Sequence, residues 1–352
     1  MQNRRPSLSP AAVPFGLTMA LVLAVPGSPA LAQEEDAIVS ILQGLPNNWG
    51  RWGEDDQVGA LNFLGPEEVL RGLQAARQGK VFTLQIPMTH GFGPVFPGRI
   101  PMMHYMAQDE GQYASGKREV LAGGLKFSDD VMFAYLQGTT HVDALAHAWY
   151  GDEVYGGKAA LSTVGGHEHA DVAAIGERGV VGRGVLLDVG RHKAGEEGRL
   201  APGECVTLED LMATAEAQGV TIEQHDILVI RVGSIVRFFE DEPDQPWDAL
   251  TEPGLCHSRE LVEWLHDTEI PLIAADNLGV ELVVQEIEGE TVVIPLHGAL
   301  MRDLGIVLSE IHWLEDLARD SAEDGQYTFL FAAAPLKVEG GTGAPVNPIV
   351  VK

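Results

Sequence analysis

The residues most able to do chemistry lie in Q-G-T-T-H-V-D-A-L-A-H, from Gln137 to His147. His141, Asp143 and His147 fall within seven residues, with Gln137 just upstream and a glycine at position 138. His141 and Asp143, two apart on an extended segment, project to the same side. An imidazole and a carboxylate aimed at one point form a site for a divalent cation. Asp143 is also a good helix-starting residue ahead of Ala144, Leu145 and Ala146, which would set Asp143 and His147 one turn apart on one face. The same residues would serve equally as an N-cap with a hydrogen-bonded histidine, so these three positions alone leave both readings open.

Two further candidates come late in the chain. In V-V-I-P-L-H-G-A-L-M-R-D-L-G-I-V-L-S-E-I, His297 ends an apolar stretch and opens a short helical one, and Glu310 ends the strand-like run after it. Neither is needed for packing, and both sit where an element terminates.

Together the two stretches resemble the cyclase family of metal-dependent hydrolases, which includes bacterial kynurenine formamidase, isatin hydrolase and a trans-dienelactone hydrolase. The family hallmark H-x-G-T-H-x-D-x-P-x-H stands here as Q-G-T-T-H-V-D-A-L-A-H, and a later His with Glu some dozen residues on matches His297 and Glu310. W-G-R-W-G at 49–53, the D-I-L-V-I-R run, A-D-N-L-G-V-E at 275–281 and A-P-V-N-P-I at 344–349 follow in the family's order, so the resemblance covers nearly all of residues 33–352. It departs in two places: the first family His falls on Gln137 or Gly138, and the family Pro is Leu145. With one imidazole missing, the resemblance implies a single ion held by His141, Asp143 and Gln137, nearer to isatin hydrolase than to a two-zinc site. The oxygen-rich set suits Mn²⁺ or Zn²⁺. His147 is then the proton carrier, while His297 and Glu310 are catalytic groups that orient the site or bind a second ion. The implied reaction is hydrolysis of a cyclic amide, a lactone or an arylformamide by a metal-activated water. Rival readings are a binding protein that has kept the site without turnover, and a metal-dependent cyclase or dehydratase. No G-x-S-x-G elbow supports a serine hydrolase.

The elements that must position these residues read as α/β. Pro66 to Gln78, Leu208 to Gln218 and a segment introduced by Ser258 are helical; Val81 to Met88, Val131 to Leu136, Arg183 to Val189, Asp226 to Val232, Ile270 to Ala275 and Thr328 to Ala333 are strand-like. Alternating strands and helices predict a single domain with a mixed sheet flanked by helices, the swivelling β/α/β type that the resemblance also implies. Asn47 to Phe63 reads as an irregular arm, His90 to Gly116 as a long loop, and Asp276-Asn277 as a polar pair at a strand end where α/β folds place sites. His90 and His104 are expected in a pocket or on the surface, and His167 and His169 as a glycine-flanked surface pair.

The 352 residues carry 45% hydrophobic and 21% charged side chains, ordinary for a globular protein. A formal charge of -28 argues against nucleic acid and anionic membrane as partners and favours a small-molecule substrate. An anionic substrate would need local positive charge. Residues 1–32 read as a secretory signal: Arg4 and Arg5, an apolar Val13 to Val25, and Ala30-Leu31-Ala32 at a cleavage site. The expected address is periplasmic or secreted, by the Sec route rather than twin-arginine export. Cys205 and Cys256 are the only cysteines, and the sequence does not say whether they meet. A homodimer or homotetramer is the expected assembly.

Overall fold

Four successive runs of apolar, β-branched residues form the middle of the molecule. In the computed structural model, which describes residues 36–195, 198–240 and 247–352, they are the strands Val180–Asp188, Ile227–Arg231, Leu272–Ala275 and Val307–Glu310. They pair in parallel, in that order, and the last three are buried along their whole length. Strands covered on both faces have no reason to alternate, which is why these read as continuous apolar text. Antiparallel strands extend the sheet on both sides. Thr328–Ala333, Ile349–Val351 and Val81–Thr83 follow on the Val180–Asp188 side; His141–Asp143 and Gly343–Pro345 follow on the Val307–Glu310 side. The result is a nine-stranded mixed sheet flanked by helices. Residues Asp36–Lys352 make one compact unit, and the leader expected at 1–32 lies outside the described residues.

The helices form where their end signals predict. Leu208–Gln218 begins at Thr207, whose hydroxyl accepts from Asp210 N at 3.2 Å while the Asp210 carboxylate accepts from Thr207 N at 2.9 Å. It ends at Gly219, in the left-handed region at φ 65°. Pro66–Ala75 packs on the sheet through Gly72, where a Cβ would come within 2.7 Å of the Gly182 backbone, so any larger residue would lift the helix away. Ser258 caps Arg259–Asp267. Among the described residues no helix is long and apolar enough to cross a membrane. Cys205 and Cys256 form a disulfide, joining the short parallel pair Cys205–Val206 and Gly254–Leu255.

Three expectations are corrected. The apolar run from Val131 is not a buried strand. It belongs to Asp129–Phe133, which pairs only with Met103–Gln108 in a separate two-stranded ribbon and leaves Val131, Met132 and Phe133 more than half exposed. That ribbon also puts a strand, followed by the helix Glu110–Ala114, inside the expected loop His90 to Gly116. No helix starts at Asp143: Val142 is paired on both sides, with Ser309 and Ala344, and a turn closed by His147 N to Ala144 O follows. Two ladders outweigh one capping residue.

Candidate metal centre

Backbone register builds the site. His141–Asp143 is buried throughout, and pleating sends Val142 to one face and His141 and Asp143 to the other. Glu310 lies directly opposite His141 in the antiparallel ladder, so its carboxylate shares that face. His141 Nε2 stands 3.3 Å from Asp143 Oδ1 and 3.2 Å from Glu310 Oε2. One donor atom from each of His141, Asp143 and Glu310 can be chosen so that all lie within 4.8 Å of one another.

The His141 tautomer follows from its second nitrogen. Nδ1 lies 2.7 Å from Thr139 O, which only accepts, so Nδ1 carries the proton and Nε2 turns to the carboxylates. His141 Nε2, both oxygens of Asp143 and Glu310 Oε1 are buried without a hydrogen-bond partner. A lone pair facing two carboxylates in a dry interior is repulsive unless something positive sits between them. Burial opposes charge on His141, yet Asp143 and Glu310 outweigh it and push its pKa up to about 10. One imidazole and two carboxylates in this arrangement fit a divalent ion.

Two more histidines complete the centre. His297 opens a π-helix, His297–Asp303, and its Nε2 lies 3.3 Å from Glu310 Oε1. Its Nδ1 meets Glu281 Oε1 at 2.7 Å, and the same buried carboxylate accepts from Leu296 N, His297 N and Gln285 Nε2. Burial lowers the His297 pKa, but Glu281 and Glu310 more than reverse this, to about 10. His147 differs: its side chain is 21% exposed against 1% for His141, so it marks the way in. Its Nε2 lies 3.9 Å from Asp143 Oδ1, and its Nδ1 accepts from Gln137 Nε2 at 3.3 Å. Burial, with the charges of His297 and Arg99, holds the His147 pKa below the usual histidine value despite Asp143.

Comparisons with known proteins agree on one family. The Cyclase family model matches residues 82–282, more than half of the chain. A solved structure described as a novel cyclase is 36% identical, with a TM-score of 0.77, covering 87% of this chain and 98% of its own. The chain belongs to the cyclase family. Isatin hydrolase A from Ralstonia solanacearum has the same fold at 16% identity and a TM-score of 0.52, covering 77% of this chain and 91% of its own. Isatin hydrolase A from Labrenzia aggregata, bound to benzyl benzoate, gives 18% and 0.53, with 77% and 93% covered. No curated protein matches the chain.

Within this cyclase-family site the residues picked from the sequence fall into two groups. His141, Asp143 and Glu310 share one cluster, with His147 and His297 at its edge. The amide nitrogen of Gln137 is held between His147 Nδ1 and Thr342 Oγ1, and Glu310 supplies a third donor beside His141 and Asp143. His90 and His104 sit on the exposed ribbon side, where His104 Nε2 meets Asp130 at 2.6 Å. His167 is buried against Trp149 and not on the surface as expected. Asp276 accepts from Val232 N and Gly233 N, while Asn277 donates its side-chain amide to Pro253 O and accepts at its backbone oxygen from Ile311 N, the residue after Glu310.

Sequence reading missed the support around the ligands. Glu281 lay inside A-D-N-L-G-V-E, and only an invariant acid ahead of His297 would have drawn attention to it. Ser309 donates to His141 O at 2.8 Å, so its oxygen must accept from His312 Nε2, also 2.8 Å away. Burial beside His141 keeps His312 neutral, its pKa pushed down to about 3. Ser309 was one residue from a named candidate, but nothing in its type distinguishes it.

Proposed function

We propose that this protein is a metal-dependent hydrolase that opens a cyclic amide or lactone, or cleaves an arylformamide. The observation that carries this is the set of four buried, partnerless atoms on His141, Asp143 and Glu310. An interior that leaves four polar atoms unsatisfied is built around a cation. His141, Asp143 and Glu310 hold the ion; Thr139 fixes the ligand tautomer of His141. A divalent ion there would lower the pKa of a water and polarise a carbonyl oxygen. His147, neutral and facing the entrance, takes a proton from the attacking water and delivers it to the leaving nitrogen or oxygen. Glu281 locks the ring of His297 toward Glu310, which keeps that carboxylate aligned. The fold shared with isatin hydrolases, whose named activity is the hydrolysis of a cyclic amide, supports the reaction class.

Elemental analysis of the wild type, His141→Ala and Asp143→Ala, followed by a screen over cyclic amides, lactones and N-formyl arylamines, tests the reading. About one divalent ion per chain is expected in the wild type and a large loss in both variants. Equal metal in all three would remove the ligand assignment. Retained metal with no turnover across the screen would favour a binding protein.

A further inference from the structure

Arg99 is a cation joined to the metal centre through Gln137. Its Nη1 donates to the backbone oxygen of Gln137 at 3.3 Å, and the Gln137 side chain in turn holds His147 Nδ1. The loop that carries it lies over the same turn, since a methyl built on Gly93 would be 3.9 Å from Gly138 O. Arg99 and the partly exposed His147 thus flank one residue, Gln137.

Its bonding is incomplete in a specific way. A guanidinium has five N–H donors in a planar fork. Among the described residues Arg99 makes this one hydrogen bond and no ion pair, in a chain with 51 acidic residues against 23 basic. The group is nevertheless held in place: Phe96 lies under it at 5.6 Å, and the Gln137 carbonyl fixes one nitrogen. A pre-positioned fork with spare donors suits two-point binding of a carboxylate. Phe92, in the same loop, is about half exposed and packs on Phe238 at 4.8 Å, so the segment that carries Arg99 presents aromatic rings as well as a cation.

We infer that Arg99 anchors a carboxylate on the molecule the metal centre acts on, giving preference to aryl carboxylates over neutral compounds of the same shape. This rests on the hydrolase reading for the identity of the reaction but not for the binding itself. Hydrolysis of an amide or lactone releases a carboxylate, so the preference applies to the product or to an already anionic substrate. On a surface with a formal charge of -28, such a ligand meets general repulsion, and Arg99 supplies a local exception.

The test is calorimetric binding of benzoate and benzamide to the full chain as purified with its metal. Wild type should bind benzoate at least about tenfold more tightly. Arg99→Met keeps the aliphatic stem on Phe96 and removes only the charge. It should weaken benzoate about tenfold, leave benzamide within about twofold, and keep metal content and melting temperature; Arg99→Lys should recover part of the loss. Undiminished benzoate affinity in Arg99→Met, equal weakening of both probes, or no benzoate preference in wild type would each overturn the proposal. The readout needs no turnover, so a blank hydrolysis screen would count against the hydrolase and leave the benzoate result standing.

Discussion

Two buried charged constellations sit at strand ends of the one nine-stranded sheet, and they are finished differently. At the ends of Val180–Asp188 and Ile227–Arg231, Arg231 uses every nitrogen: Nε and Nη2 grip Glu315 at 2.8 Å each, and Nη1 reaches Asp188 Oδ1 at 2.8 Å and Gly198 O at 3.1 Å, which leaves one oxygen there, Asp188 Oδ2, without a hydrogen bond but 3.6 Å from the Arg191 cation. Asp276 and Glu252 nearby place both their oxygens on N–H or O–H donors. At the ends of Val307–Glu310 and His141–Asp143, the carboxylates face a ring nitrogen and one another, and four atoms have no partner. Similar residues at similar depth therefore mean different things. A network closed by its own donors holds elements together; one left open is a receptacle.

Breaking the closed network should have the largest effect. Arg231→Met strands Asp188 and Glu315 without their cation and is expected to cost about 3–5 kcal/mol, roughly 10 °C in Tm, while folded molecules keep their metal. A melting curve with metal analysis checks this, and a loss of metal without loss of stability would show the comparison to be drawn the wrong way round. Touching the open site should act on rate instead. His147→Ala should lower kcat about a hundredfold, near 3 kcal/mol of barrier, with metal and Tm kept. Metal loss would make His147 a ligand, and a Tm loss at full turnover would make it a packing residue.

The smallest effect sharpens the comparison through pH. Burial raises Glu252 to about 7 from an ordinary 4.5, and Asp276 to about 7 from 3.8. Between those values the folded state keeps protons that the unfolded chain has lost, so stability falls as pH rises toward 7, and the penalty is complete above it. Glu252→Gln removes one share and should make the fall in Tm between pH 5 and 7.5 shallower by about 2 °C. An identical slope in both proteins would mean that Glu252 stays ionised in the fold.

What could be read from the sequence follows the same divide. The central strands and their helices were visible because double burial and end-capping each leave a local mark, as in Ile227–Arg231 and in Thr207 with Gly219. His141 and Asp143 stood out by their two-residue spacing, and His297 and Glu310 because each ends an apolar run. The conformation at Asp143 was not visible. It depends on pairing with Ser309 and Ala344, about 170 and 200 residues away, which no window around position 143 contains. Val131 to Phe133 failed for the complementary reason, since apolar text says that a strand is possible but not that anything will cover it. Glu281 was missed because its meaning lies in a contact with His297, not in its neighbours.

The bond between Cys205 and Cys256 turns 51 residues of sequence separation into a covalent ring, and the central strand Ile227–Arg231 runs within it. In the chain-entropy view a ring of this size lowers the freedom of the unfolded chain by about 4 kcal/mol. It also redraws the path of mechanical load. Pulled from its two ends, the oxidised chain passes tension from residue 205 straight to residue 256, and the strand that carries Arg231 stays slack. The reduced chain would have to bear that tension through the middle of its sheet.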